Sequence, residues 1–229
     1  MVDELLKTIA DRVIVGRAHA ASPHPPELAG QPGVRELVEE AIAKGGDAQV
    51  ILQQGLLAGM EVVGQRFRDC EIFIPDVLAS CQAMRAGSEL LRPLLQEGDA
   101  SPRGKFIIGT VKGDLHDIGK NLVAMMLEGA GFEVIDLGTN VSAEKFIEIA
   151  REHPGVPIGL SALLSTTMAS MQTTVKALLG ADLPQAPVTV VGGAPVTQQF
   201  ADEIGANGYA ADASSAVDVV KRLVEQTAV

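Results

Sequence analysis

The sequence predicts an α/β protein with an all-α N-terminal domain, in which a four-helix bundle precedes a five-stranded parallel sheet. Three observations carry that prediction. Residues 1–97 keep apolar side chains at helical spacing almost throughout. From Lys105 onward, short apolar runs rich in β-branched residues alternate five times with helical stretches, which calls for a parallel sheet with helices on both faces. Between the halves, QEGDASPRG (96–104) is polar and broken, a linker by composition.

In the helical half, the first helix (roughly 3–20) puts Leu5, Leu6, Ile9, Val13 and Ile14 on one stripe. ASPHPPELAGQPG (21–33) is dense in proline and glycine and reads as an irregular connection. Val34, Leu37, Val38, Ala41 and Ile42 mark a second helix that stops at Gly45-Gly46. Asp47 is placed to cap a third helix to about Phe67, with Val50, Ile51, Leu57, Met60 and Val63 inward. RDCEIF breaks the chain, Pro75 suits a first turn, and a fourth helix runs to about Leu95. Short connections make this a bundle. It lacks the inward Glu and His of a metal-holding one.

The other half opens with KFIIGTV (105–111) and a helix over 118–130. FEVIDLG (132–138), a helix from Ser142, VPIGLSALL (156–164) and a further helix follow. PVTVVGG (187–193), another helix, a short strand near Gly208–Ala210 and a last helix to about Glu225 complete it.

Composition narrows the function. The chain has 229 residues, 47% hydrophobic and 21% charged, enough for a buried core and too apolar for disorder. Its net charge of −11 repels phosphate backbones, and no Trp, one Tyr and six Phe leave few stacking platforms, so nucleic acid is not expected as a partner. No window of about 18 residues is free of charge or turn residues, so no membrane span is expected. The N-terminus lacks the basic start and apolar core of a signal peptide. Cys70 and Cys81, with no CxxC pair, make no disulfide framework, and a cytoplasmic location is expected.

In an open parallel sheet, ligands bind beyond the carboxyl ends of the strands, where strand order reverses. After the first strand comes GDLHDIGKN (113–121), which is neither a phosphate loop nor GxGxxG. Asp114 stands two residues before His116. That spacing lets the carboxylate accept from one imidazole nitrogen and raise the basicity of the other, as around metal-ligating histidines. A hydrogen-bonded surface histidine is the competing reading. His19 and His24 flank the Pro-rich segment, and His153 closes a helix. After the third strand, Ser161, Ser165, Thr166 and Thr167 place four hydroxyls within seven residues, where capping the next helix needs one. After the fourth, Gly192-Gly193 is either a tight turn or backbone brought close to a bulky ligand.

Taken together, Asp114-x-His116-x-x-Gly119, then 41 residues to Ser161-x-Leu163, then 28 to Gly192-Gly193, resembles the signature of cobalamin-binding domains. The resemblance is to the base-off, histidine-on class of methionine synthase, corrinoid methyl-carrier proteins and some mutases. GLLAGMEVVGQRF (55–67) and EIFIPDVLASCQAM (71–84) resemble the helical cap preceding this domain in the methyl-transfer members, which disfavours the mutases. It implies a four-helix-bundle cap over 1–97, a linker at 98–104 and a Rossmann-like (flavodoxin-like) cobalamin-binding domain over 105–229.

Carried onto this chain, the resemblance implies that His116 coordinates cobalt from below, that Asp114 hydrogen-bonds it, and that Thr167 ends the relay with a hydroxyl. Ser161 and Ser165 would contact the displaced nucleotide tail, Gly192 and Gly193 would leave it room, and Ala213 would lie near its end. Gly113, Leu115, Asp117, Gly119 and Leu163 join the cofactor contacts, and Phe67 and Ile74 would cover the methyl group. The chain departs from methionine synthase at Thr167, a different hydroxyl residue, at Ile74 in place of Leu, and at Gln53 in place of an acid.

The implied function is a corrinoid protein that binds cobalamin (methylcobalamin or a related corrinoid) base-off/His-on. It carries a methyl group, as Co(I)/methyl-Co(III), between a substrate-specific methyltransferase and a second one acting on tetrahydrofolate or a thiol, with a reductive activation protein as further partner. As a methyl-carrier subunit it is not expected to be a full catalyst alone. The alternatives are a cobalamin-binding regulator or sensor without methyl transfer, and an unrelated metal hydrolase using Asp114, His116 and Asp117.

Overall fold

A computed structural model describes residues 2–95 and 103–227. Two compact units make up the chain, Met1–Pro102 with Gly129–Gly131, and Arg103–Glu128 with Phe132–Val229. The expected linker at 98–104 falls mostly outside the described residues; Gly104 is described, and its carbonyl accepts from the Glu133 N–H.

The first unit is all helical. α1 (Val2–Ile14) buries Leu5, Leu6, Ile9 and Val13. It ends six residues before the expected Ala20. The Arg17 N–H returns to the Arg12 carbonyl and the Gly16 N–H to Val13, so the chain leaves the helix through a left-handed glycine. Arg17 is then fully buried, and its guanidinium donates to the Ser22, Ala20 and Gln31 carbonyls. The Pro-rich connection is therefore organised around one side chain, with a 3-10 turn at Pro26–Leu28.

α2 (Val34–Ala43) buries Val34, Leu37, Val38 and Ala41. Asp47 caps α3 (Ala48–Val50), accepting from Gln49 and Val50. α3 passes through a π-helical stretch, Ile51–Leu57, into α4 (Ala58–Arg68). The wider π turn shifts the phase of the apolar face. Val50 is exposed and Leu57 half-buried, not inward as expected, and Leu52 and Leu56 are buried instead. α1 crosses this rod closely, since a Cβ on Gly59 would stand 2.8 Å from the Ala10 carbonyl oxygen. α5 (Ile74–Leu91) has Pro75 in its first turn and ends before the expected Leu95, in a 3-10 turn over Arg92–Leu94.

The second unit is a five-stranded, all-parallel sheet in the order β2-β1-β3-β4-β5. Its elements are β1 (Lys105–Thr110), α6 (Ile118–Gly129), β2 (Glu133–Asp136), α7 (Ala143–Glu152), β3 (Ile158–Ser161), α8 (Met168–Gly180), β4 (Thr189–Gly192), α9 (Gln198–Ile204), β5 (Gly208–Ala210) and α10 (Ala213–Thr227). Ser142 and Thr197 cap α7 and α9 through their hydroxyls. Strand pairing sorts the side chains into two faces. Ile107, Ile158, Leu160 and Val191 join Phe146, Met171, Val175, Leu178 and Ile204 in one dry core with α7, α8 and α9. Phe106, Ile108, Gly159, Ser161, Val190, Gly192 and Ala210 form the opposite face, in register across β1, β3, β4 and β5. The chain leaves β1 for β2 and returns on the other side as β3, so order reverses at the carboxyl end of β1.

Candidate functional site

At that reversal the β1–α6 loop presents His116. Its backbone N–H donates to Asp114 Oδ1 at 3.0 Å and its ring Nδ1 lies 2.7 Å from the same oxygen. Asp114 is fully buried, whereas half of the His116 side chain is exposed. The other carboxylate oxygen accepts from the Leu163 N–H at 2.7 Å, the Leu164 N–H at 3.3 Å and the Thr167 hydroxyl at 2.7 Å. Burial alone would raise the Asp114 carboxyl. The donors from Leu163, His116 and Thr167 overcome it and hold the group well below the usual carboxylate range. The carboxylate therefore stays ionised, and it is satisfied when the ring donates to it through Nδ1.

Beside His116 a cavity of about 590 Å³ opens over the second sheet face. Phe106, Ile108, Gly159 and Val190 form its floor, and Leu122 and Val123 of α6 and Ala213 and Ala216 of α10 contribute to its walls. Polar groups cluster elsewhere along it, at His116, Asp117, Lys120, Ser161 and Asp212. The Gly193 φ of +130° is a backbone state that glycine favours, and a Cβ there would sit 1.8 Å from the Ala162 oxygen. Leu115 and Ile118, on either side of the histidine, expose 72% and 80% of their surface. Large exposed apolar side chains beside the imidazole suit a broad ligand with an apolar face.

Among the residues expected from sequence, Leu115, His116, Asp117, Gly119, Ser161, Leu163, Gly192, Gly193 and Ala213 line this cavity. Asp114 and Thr167 are buried behind His116. Ser165 is exposed in a 3-10 turn and Gly113 bends the loop at φ +87°; neither lines the cavity. Phe67 is half-buried and Ile74 45% exposed, both in the helical unit. Sequence reasoning missed Phe106, Ile108, Gly159 and Val190. Strand alternation could have found Gly159 and Val190, which stand two residues before Ser161 and Gly192 on the same strands, whereas Phe106 and Ile108 join that face only through the sheet register. Among the described residues no three His, Cys, Asp or Glu side chains are grouped to hold a metal ion, which leaves the hydrolase reading without a ligand set.

An aspartate-anchored histidine at the β1 switch point, flanking an apolar cavity, defines a cobalamin-binding domain. The residues fit the group. Asp114 engages Nδ1, so that Nε2 would be the nitrogen to hold cobalt, and a methyl group added at Gly119 would meet nothing within 4 Å. A model of the B12 binding domain matches residues 104–218, and a second B12 binding domain model matches 31–92. Trimethylamine corrinoid protein 2 of Methanosarcina mazei is 43% identical over 188 residues, covering 81% of this chain and 86% of the relative. The dimethylamine corrinoid protein of Methanosarcina barkeri is 39% identical over 223 residues, 97% of this chain and 98% of the relative. The methanol:cobalamin methyltransferase complex of Methanosarcina barkeri contains a chain of matching structure, at TM-score 0.80 and 28% identity over 97% of this chain and 80% of that one. The chain belongs to the B12-binding family of corrinoid proteins. No helix among the described residues is long and apolar enough to cross a membrane.

Proposed function

We propose that this protein holds cobalamin or a related corrinoid in the base-off/His-on state and carries a methyl group between two methyltransferases. The first would be substrate-specific, and the second would pass the group to tetrahydrofolate or a thiol. The observation that carries the reading is the Thr167–Asp114–His116 chain beside the apolar cavity. Bound there, cobalt supplies a nucleophile that accepts a methyl group and gives it up again.

The chain's own residues divide the work. His116 Nε2 would hold cobalt, with Asp114 fixing the tautomer and Thr167 and the Leu163 amide holding the carboxylate. An imidazolium formed at His116 would be stabilised by the adjacent Asp114 carboxylate. Phe106, Ile108, Gly159 and Val190 would take the displaced tail against the sheet. A reductive activation protein would return the carrier to its reduced state. The names of the methylamine and methanol relatives support a carrier over a sensor.

The test is spectroscopic. Purified protein mixed with cobalamin should give a histidine-ligated absorption spectrum, and H116A should lose it. An H116A spectrum identical to wild type refutes the ligand assignment. Loaded, reduced protein given a methylated amine and its methyltransferase should become methylated; a sensor would not.

A further inference from the structure

The loop that carries His116 has almost no apolar anchorage. Lys112, Gly113, Leu115, His116, Asp117, Ile118 and Gly119 are all exposed, and Asp114 alone among 112–119 is buried. Its shape therefore depends on polar contacts, which reach Asp114 from the turn after β3 and Gly113 and Asp114 from the turn after β2. The Asn140 carboxamide oxygen accepts from the Gly113 N–H at 2.8 Å. The Asn140 N–H donates to the Asp114 carbonyl at 2.9 Å. At the far end of the loop, Asp136 accepts through Oδ2 from Lys120 Nζ, and the Lys120 side chain is 1% exposed. Asp136 Oδ1 accepts from the Gly138 N–H at 2.9 Å, tying that grip to the same turn. Between the two grips, the Thr110 hydroxyl donates to the His116 carbonyl at 2.9 Å.

We infer that Asn140 is a positioning residue for the histidine ligand, the front jaw of a clamp whose rear jaw is the Lys120–Asp136 pair. The residue type follows from the geometry. Asn140 has φ 55°, a left-handed conformation that asparagine tolerates far better than alanine. Glycine would keep that backbone and drop the acceptor, whereas aspartate would keep both. The clamp acts on the backbone at Gly113 and Asp114, three and two residues before His116, so its slackening moves Asp114 and His116 together. Asn140 itself is not among the residues that line the cavity.

The inference that His116 thereby ligates cobalt rests on the proposed function; the inference that Asn140 fixes the loop does not. Two measurements on full-length N140G, N140D and H116A separate them. In cobalamin-free protein, amide exchange across 112–118 should be about three- to tenfold faster in N140G than in wild type, the scale of one lost hydrogen bond, and near wild type in N140D. With cobalamin added, N140G should lose part of the histidine-ligated absorbance and bind at least about threefold more weakly, with N140D restoring both. Unchanged exchange in N140G overturns the clamp. Faster exchange with an unchanged spectrum and affinity overturns its positioning role. A wild-type spectrum that H116A leaves unaltered overturns the ligand reading instead, and exchange then decides the clamp by itself.

Discussion

Replacing Asp114 by asparagine tests the centre of the site with a change of almost no volume. The carboxylate accepts from five donors, namely the His116 N–H and ring on one oxygen, and Leu163, Leu164 and Thr167 on the other. An amide offers one oxygen, so either orientation strands the donors on one side. If the NH2 faces Leu163, buried donors lose their acceptor, each at about 1–3 kcal/mol. Turned toward His116, the NH2 faces groups that water partly reaches, because that side chain is half exposed. The second orientation is the cheaper, and the expected loss is about 2–4 kcal/mol in urea unfolding followed by far-UV circular dichroism. It also has a chemical consequence. An NH2 facing Nδ1 favours the tautomer in which Nδ1 accepts and Nε2 carries the hydrogen, which removes the ligand atom. D114N should therefore lose the histidine-ligated spectrum and bind cobalamin about 10–100-fold more weakly. A D114N protein within about 1 kcal/mol of wild type, with the spectrum intact, would refute both the donor count and the tautomer argument.

Other substitutions test separate parts of the structure. T167S should keep wild-type stability, and T167V should lose about 1.5–3 kcal/mol because an ionised acceptor loses a buried donor; equal melting of both variants would show the hydroxyl to be idle. G193A must push a Cβ against the Ala162 carbonyl at an unfavourable φ, so it should lose about 3 kcal/mol or more, and melting together with wild type would contradict that contact. In the helical unit, Glu36 accepts from the Ala20 and Gly33 amides, which outweigh the upward push of burial and lower its pKa. Its contribution is thus complete above the ordinary value of 4.5 and fades as pH falls through the lowered one. Stability curves of wild type and E36Q should accordingly converge below about pH 4.5, and curves that stay parallel would remove the linkage.

Local patterns account for what sequence by itself determined. The α/β class, the order of elements, the cap at Asp47 and the helix start at Ser142 depend on neighbours within a few residues, so periodicity and capping chemistry expose them. The Asp114–His116 contact spans two residues and was legible for the same reason. Where local geometry left the expected period, sequence reading slipped. The π-helical stretch at Ile51–Leu57 moved the buried face, and the left-handed turn at Gly16 ended α1 early. The resemblance named Thr167, but only the fold, 53 residues away along the chain, brings its hydroxyl to Asp114.

The tertiary structure alone decided the rest. The cavity floor exists because the sheet register sets Ile108 beside Gly159 and Gly159 beside Val190, a pairing between strands that no local pattern encodes. Asn140 meets Gly113 across 27 residues, and Lys120 meets Asp136 across 16, because β2 lies against β1. A sequence shows which side chains could ligate a metal, since that is a matter of their chemistry. Which of them are held still enough to do so depends on hydrogen bonds between segments distant along the chain, and those exist only once the sheet has formed.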